Sequence, residues 1–142
     1  MTLDDGILAD PDRLVAAGGA VLAATASAGA QLRAGVTECD RDVLAGVVTA
    51  GRPRAVVVMG AGGSSAAGDV LAACAGRGSS VPVVTIGGPG LPGWVGSLDL
   101  VIALSASGSS PETLAVVAEA GRRGCHVVGV SGGGELVAAV TA

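Results

Sequence analysis

The stretch Arg54-Ala55-Val56-Val57-Val58-Met59-Gly60-Ala61-Gly62-Gly63-Ser64-Ser65 decides the fold. Its first half is a short unbroken apolar run, the pattern of a strand buried on both faces. Its second half is a glycine-rich turn that opens a helix. Three similar runs follow, at residues 81–86, 100–104 and 126–130. Helical stretches are expected between them, at about 65–75 and 111–123, with Gly124 placed to end the second. A last helix is expected from Gly134-Glu135 onward. Strands alternating with helices imply an α/β fold: an open parallel sheet, helices on both faces and right-handed crossovers.

Upstream of this unit the texture is helical. Asp10 can cap a helix and Pro11 suits its first turn. That helix is expected to run to about Arg33 and stop at Gly35, weakened at Gly18-Gly19. Thr37 is expected to cap a second helix reaching Gly51, with Asp40 near its start. The chain therefore divides into an N-terminal helical pair, residues 1–52, packing on the sheet, and an α/β unit, residues 53–142.

Composition narrows the function classes. The 142 residues include 12 acidic and 8 basic side chains, a net charge of −4, and every basic residue is Arg. Trp94 is the one aromatic residue. An acidic chain without stacking platforms is a poor nucleic-acid binder. The acidic N-terminus does not read as a secretory signal. The uncharged run 14–30 is mostly Ala, interrupted by Gly18, Gly19, Thr25, Ser27 and Gly29, and reads as too weak for a membrane span. A cytoplasmic protein is expected. Cys39, Cys74 and Cys125 are scattered, with no CxxC and no second ligand beside His126. All three are expected to be small buried hydrophobes, and no metal or cofactor is expected. His126 opens a strand and is expected to be structural.

Two strand-end loops carry the chemistry, because ligands of open parallel sheets bind beyond the carboxyl ends of the strands. The first, Gly60-Ala61-Gly62-Gly63-Ser64-Ser65, offers free helix-start N–H groups to an anion. It fails as a Rossmann fingerprint, since Ser65 stands where a third small Gly belongs and no acidic residue closes the second strand. It also fails as a P-loop, since the chain has no Lys. A purely structural turn stays open for this loop alone. The second, Ser105-Ala106-Ser107-Gly108-Ser109-Ser110-Pro111, carries four hydroxyls within six residues before a helix that Ser110 can cap. A capped serine-rich turn is its bland alternative. Together the two loops describe an uncharged cradle that holds phosphate by neutral donors.

These loops resemble those of the SIS (sugar isomerase) domain, and more narrowly of the bifunctional phosphoglucose/phosphomannose isomerases. Gly60-Ala61-Gly62-Gly63-Ser64 with Gly68-Asp69 matches one family stretch. Ser105-Ala106-Ser107-Gly108 with Glu112-Thr113 matches another, and Leu91-Pro92-Gly93-Trp94-Val95 resembles the Pro-x-Trp-Val loop between them. Ser109-Ser110 replaces Asn-Thr. The resemblance covers roughly residues 54–142. It implies that Gly62, Gly63, Ser64, Ser105, Ser107 and Ser110 hold a sugar phosphate. Asp69 is expected to orient the first loop, with Glu112 serving the helix dipole and Thr113 in support.

The resemblance also implies what is lacking. Aldose–ketose isomerisation needs a base and an acid; the resemblance implies a Glu and a His from a second SIS domain, and an Arg from beyond the region represented here. None of these matches a residue here, so no catalytic residue is assigned. The family fold also has a fifth strand, where four are read here. The expectation is therefore the N-terminal SIS half of an isomerase, as a fragment or truncated reading frame. It would interconvert glucose 6-phosphate or mannose 6-phosphate with fructose 6-phosphate, pairing with a second SIS domain in cis or in trans, as in a homodimer. A non-catalytic phosphosugar-sensing module is the alternative.

Overall fold

The structure, a computed structural model, describes residues 6, 9–39 and 41–141. Contacts divide the chain into two compact units, Met1–Ala45 and Gly46–Ala142. In the first, helix α1 runs over Pro11–Glu38. The Asp10 carboxylate caps it, accepting from the N–H groups of Asp12 and Arg13. Contrary to expectation, Gly35 does not stop the helix. Gly lowers helix propensity without removing a donor, and the Thr37 hydroxyl, rather than capping a new helix, donates 3.1 Å back to the Arg33 carbonyl. Helix α2 then spans Arg41–Thr49. Asp40, expected near its start, lies outside the described residues. By length and composition α1 is long and apolar enough to cross a membrane, where the sequence reading set a span aside. Its apolarity comes largely from Ala, and none of its residues is buried.

The second unit is the expected α/β fold. Strands β1 (Val56–Gly60), β2 (Val83–Ile86), β3 (Leu100–Ser105) and β4 (His126–Ser131) pair in parallel in the order β2-β1-β3-β4. The fifth strand is not among the described residues. Helices α3 (Ser65–Ala75), α4 (Pro111–Arg122) and α5 (Glu135–Thr141) follow β1, β3 and β4. β1 and β3 are central and largely buried, whereas β2 and β4 lie at the edges and are only partly so. The apolar run of β4 therefore overstated its burial.

Alternation along the strands sorts the core into two faces. Val57 and Met59 of β1 and Val101 of β3 pack with Val116 and Ala120 of α4, and with Leu91 and Val95 of the β2–β3 connection. Ala103 meets Val117 of α4 and Leu136 of α5. On the opposite face, α3 crosses closely over Val58 and Thr85. A Cβ at Gly68 would sit 2.7 Å from the Thr85 hydroxyl, so only glycine lets the helix lie there. Helix α4 ends as expected: Gly124 adopts φ +70°, and the N–H groups of Gly124 and Cys125 donate to the carbonyls of Gly121 and Ala120. Cys125 is buried, and burial raises its thiol pKa. Cys39 and Cys74 are exposed, correcting the expectation that all three cysteines are interior.

The edge at which the strands begin is held by an ion pair that spans 45 residues of sequence. Arg54 Nε and Nη2 donate to the two Asp99 carboxylate oxygens at 3.0 and 2.6 Å. Gly96 N–H adds a third bond at 2.9 Å, and the Arg54 guanidinium lies 5.8 Å from the Trp94 ring centroid. Asp99 is buried, and its bonds to Arg54 hold its carboxyl below the usual carboxylate range. The non-helical β2–β3 connection is also fastened by Arg123, which donates to the carbonyls of Pro92 and Val95.

This gives a pH prediction. With its folded pKa below an unfolded value of about 3.9, Asp99 contributes its full stabilisation above that value and loses it as pH falls through the lower folded one. Urea unfolding followed from pH 7 to pH 2 should show the wild type weakening in acid. Asp99→Asn should lower the midpoint at pH 7 and flatten that acid limb.

Candidate functional site

The chain leaves β1, reaches β2 on one side, and returns across the sheet to β3 on the other side of β1. The switch point lies between β1 and β3, where an open sheet forms its crevice. The register pairs Gly60 with Leu104, so the loops after β1 and β3 leave neighbouring strand ends at the same edge. They line one cavity of about 240 Å³, to which Ser64 and Ala67 contribute from one side and Leu104, Ser105 and Ala106 from the other. Val130, Ser131 and Gly132 of β4 and its following loop complete the lining.

The site residues differ in how free they are. The Ser64 hydroxyl makes no cap bond, but the helix-start N–H groups are less free than expected: a 3-10 turn over Gly62–Ser64 leads into α3, and the N–H groups of Ser64 and Ser65 donate to the carbonyls of Ala61 and Gly62. Ser105 is buried and accepts from Gly108 N–H at 3.1 Å, while Ser107 accepts from Ser109 N–H at 3.3 Å. Among the described residues the hydroxyl protons of Ser64, Ser105 and Ser107 are therefore unspent. Ser110 is committed: it donates to Glu112 Oε2 at 2.9 Å and accepts from Thr113 N–H at the start of α4. Glu112's own backbone N–H and the Ser110 hydroxyl hold its carboxyl below the usual range, so it stays charged beside the loop. Ser109, in place of an amide, still fixes the turn by donating to the Ser107 carbonyl at 3.3 Å.

Gly62, Gly63, Ser107 and Ser110 lie on the two loops but do not line the cavity. Asp69 is exposed on α3 and makes no hydrogen bond to the loop among the described residues, so it does not orient it as expected. Thr113 is fully buried, with its hydroxyl unpartnered among the described residues. His126 begins β4 while Ser131 ends it, which puts the histidine roughly 16 Å away at about 3.3 Å per residue. It lines a separate hollow with Arg52 and Asp99, far from the serine loops.

The sequence reading missed the loop after β4. Its signal was Ser131-Gly132-Gly133-Gly134, a third Ser/Gly-rich strand end. This loop braces the serine loop. Gly108 sits at φ +70°, and a Cβ there would overlap the Gly133 carbonyl. A Cβ on Gly134 would come within 2.6 Å of the Ser107 carbonyl oxygen, and Leu136 N–H donates to the Gly108 carbonyl at 2.9 Å.

No family model matches the chain. A bifunctional phosphoglucose/phosphomannose isomerase of Caldicellulosiruptor bescii is 36% identical over 81 residues, 57% of this chain and 24% of that protein. The chain thus spans about a quarter of the length of this curated relative. Among solved structures, the Vibrio vulnificus NanR protein complexed with ManNAc-6P matches with a TM-score of 0.66 and 21% identity, over 90% of this chain and 51% of that one. A candidate phosphosugar isomerase of Bacillus subtilis matches with a TM-score of 0.50 and 23% identity, over 63% of this chain and 30% of that one. The resemblance read from the loops is met by a relative in sequence, and the SIS-type fold by neighbours in structure.

Gly108→Ala should cost about 1–3 kcal/mol from backbone strain alone, and more from the overlap with the β4 loop. Gly63→Ala, whose Cβ meets nothing within 4 Å, should cost far less. Thermal unfolding of the two variants checks the contrast, and equal shifts would contradict it.

Proposed function

We propose that this chain is the phosphosugar-binding SIS half of a cytoplasmic aldose–ketose isomerase. The reaction is interconversion of glucose 6-phosphate or mannose 6-phosphate with fructose 6-phosphate. One observation carries the reading: Ser64 after β1 and Ser105 at the end of β3, each with an unspent hydroxyl proton, line a single cavity at the switch point of a parallel sheet. In this proposal Gly62, Gly63, Ser64, Ser105, Ser107 and Ser110 hold the phosphate. Ser110 joins by turning its proton from Glu112 to the ligand. Neutral donors suit a phosphate on a substrate that must also leave, since desolvated charge pairs are slower to release.

The chemistry demands a second wall. The cavity is smaller than the range of about 300–1,000 Å³ usual for a small-molecule site. Glu112, the nearest carboxylate on the two loops, already serves Ser110 and the start of α4. The base and the acid therefore come from a second SIS domain, in cis or in trans as in a homodimer, and the Arg from outside the residues matched here. That domain would close the cavity, open the sugar ring and move the proton between carbons 1 and 2 through an enediol(ate). This chain's part is to fix the phosphate so that the reacting carbons are presented in one place.

A second reading is a phosphosugar-binding module without turnover. It draws on NanR, solved with ManNAc-6P, whose fold likeness extends over 90% of this chain. Calorimetric titration with fructose 6-phosphate, paired with an isomerisation assay, separates the two. Binding by the chain, with turnover only once a second SIS domain is joined to it, supports the isomerase. Binding without turnover even then supports the module. Ser107→Ala should weaken fructose 6-phosphate by about 0.5–1.5 kcal/mol, and an unchanged titration would remove Ser107 from the site.

A further inference from the structure

We infer that Thr113 is a positioning residue of the phosphate cradle: its buried hydroxyl is held in reserve for Ser105 and bonds to it when Ser105 turns its O–H to the anion. On the phosphosugar reading, on which this rests, Thr113 backs the cradle from inside the core. It is fully buried, and its hydroxyl has no hydrogen-bond partner among the described residues. Such a group lowers stability, because water satisfied it in the unfolded chain. The other buried residues on this face of α4 are Val116, Val117 and Ala120, so packing alone asks for no hydroxyl there.

The helix sets Thr113 opposite Ser105. Val116 packs in the cluster of Val57, Met59 and Val101, and Val117 in the cluster of Ala103 and Leu136. At 3.6 residues per turn, Thr113 projects between those two rows, over β3. It lies about 6 Å along the helix from Val117, and Ser105 lies about 6.6 Å along the strand from Ala103, so the two stand level. Alternation puts Ser105 on the same face as Val101 and Ala103. Ser105 is itself buried and accepts from the Gly108 N–H, which leaves it one acceptor site and its proton. A bond donated to phosphate and a bond accepted from Thr113 complete that hydroxyl. The relay from Thr113 O–H through Ser105 O–H to phosphate polarises each bond in turn, which makes Ser105 the stronger donor. Threonine in a helix has two accessible χ1 wells, so its hydroxyl swings without moving the backbone.

Removing the hydroxyl while keeping the shape separates this role from packing. In the free chain Thr113→Val should raise the thermal midpoint by about 3–5 °C, since a methyl replaces an unpaired buried hydroxyl. Calorimetry should nevertheless show it weakening fructose 6-phosphate and inorganic phosphate alike, by about three- to tenfold. Thr113→Ser loses a methyl and keeps the hydroxyl. It should lower the midpoint yet rescue both affinities to within about twofold of the wild type. Thr113→Val added to Ser105→Ala should weaken binding no further than Ser105→Ala alone. Packing alone predicts the reverse, with affinity following stability. Unchanged binding by Thr113→Val overturns the inference and leaves the cradle standing. So does a Thr113→Ser variant as weak as Thr113→Val, or a full further loss in the double variant. A lower midpoint in Thr113→Val also overturns it, by showing the hydroxyl already paired in the free chain. A wild type that binds neither ligand overturns the phosphosugar reading, and this inference with it.

Discussion

Parallel pairing of β1 with β3, in the register that sets Gly60 beside Leu104, is the constraint on which the site depends. These strands are not neighbours in sequence order, since β2 lies between them in the chain and outside them in the sheet. Because the chain crosses back over β1, two short serine- and glycine-rich loops leave adjacent strand ends. Each loop alone is an ordinary strand-to-helix turn. Side by side they bring the unspent hydroxyls of Ser64 and Ser105 toward one volume, where an anion can replace the water those donors would otherwise hold.

The two edges of the sheet do different work. Where the strands begin, the Arg54–Asp99 pair, the Trp94 contact and the Arg123 bonds tie the long β2–β3 connection into a fixed block. Where they end, rigidity comes instead from the absence of side chains. Gly108 and Gly134 allow the loops after β3 and β4 to lie backbone against backbone, so the serine loop keeps its shape without spending all its hydroxyls on itself. Unspent donors in a braced loop are what preorganised anion binding requires, because little reorganisation opposes the ligand.

Much of this was legible in the residues. The four apolar runs marked the strands, and the Ser110-Pro111 start and Gly124 end of α4 followed from local backbone rules. Serine and glycine spacing pointed to the two loops. Other features depend on tertiary position and leave no local trace. Asp99 is one acidic residue among twelve until strand order sets it beside Arg54, 45 residues away. Gly35 looks like a helix stop, yet nothing in its surroundings enforces one, and the helix runs to Glu38. Cys39 and Cys74 are interior by residue type and exposed by position. The Ser131–Gly134 turn was readable as a strand end, but its brace on Gly108 needed the β3–β4 pairing. Asp69 illustrates the reverse case: its place in a familiar motif suggested a contact that its exposed position on α3 does not make.

The central claim is that the two loops act on one anion. Backbone amide NMR of the labelled chain, titrated with fructose 6-phosphate, tests it most directly. The account predicts that amides of residues 62–65 and 105–110 shift together along one binding curve, while His126 and its neighbours at the opposite edge stay still. Shifts confined to one loop, or two loops titrating with different affinities, would contradict it.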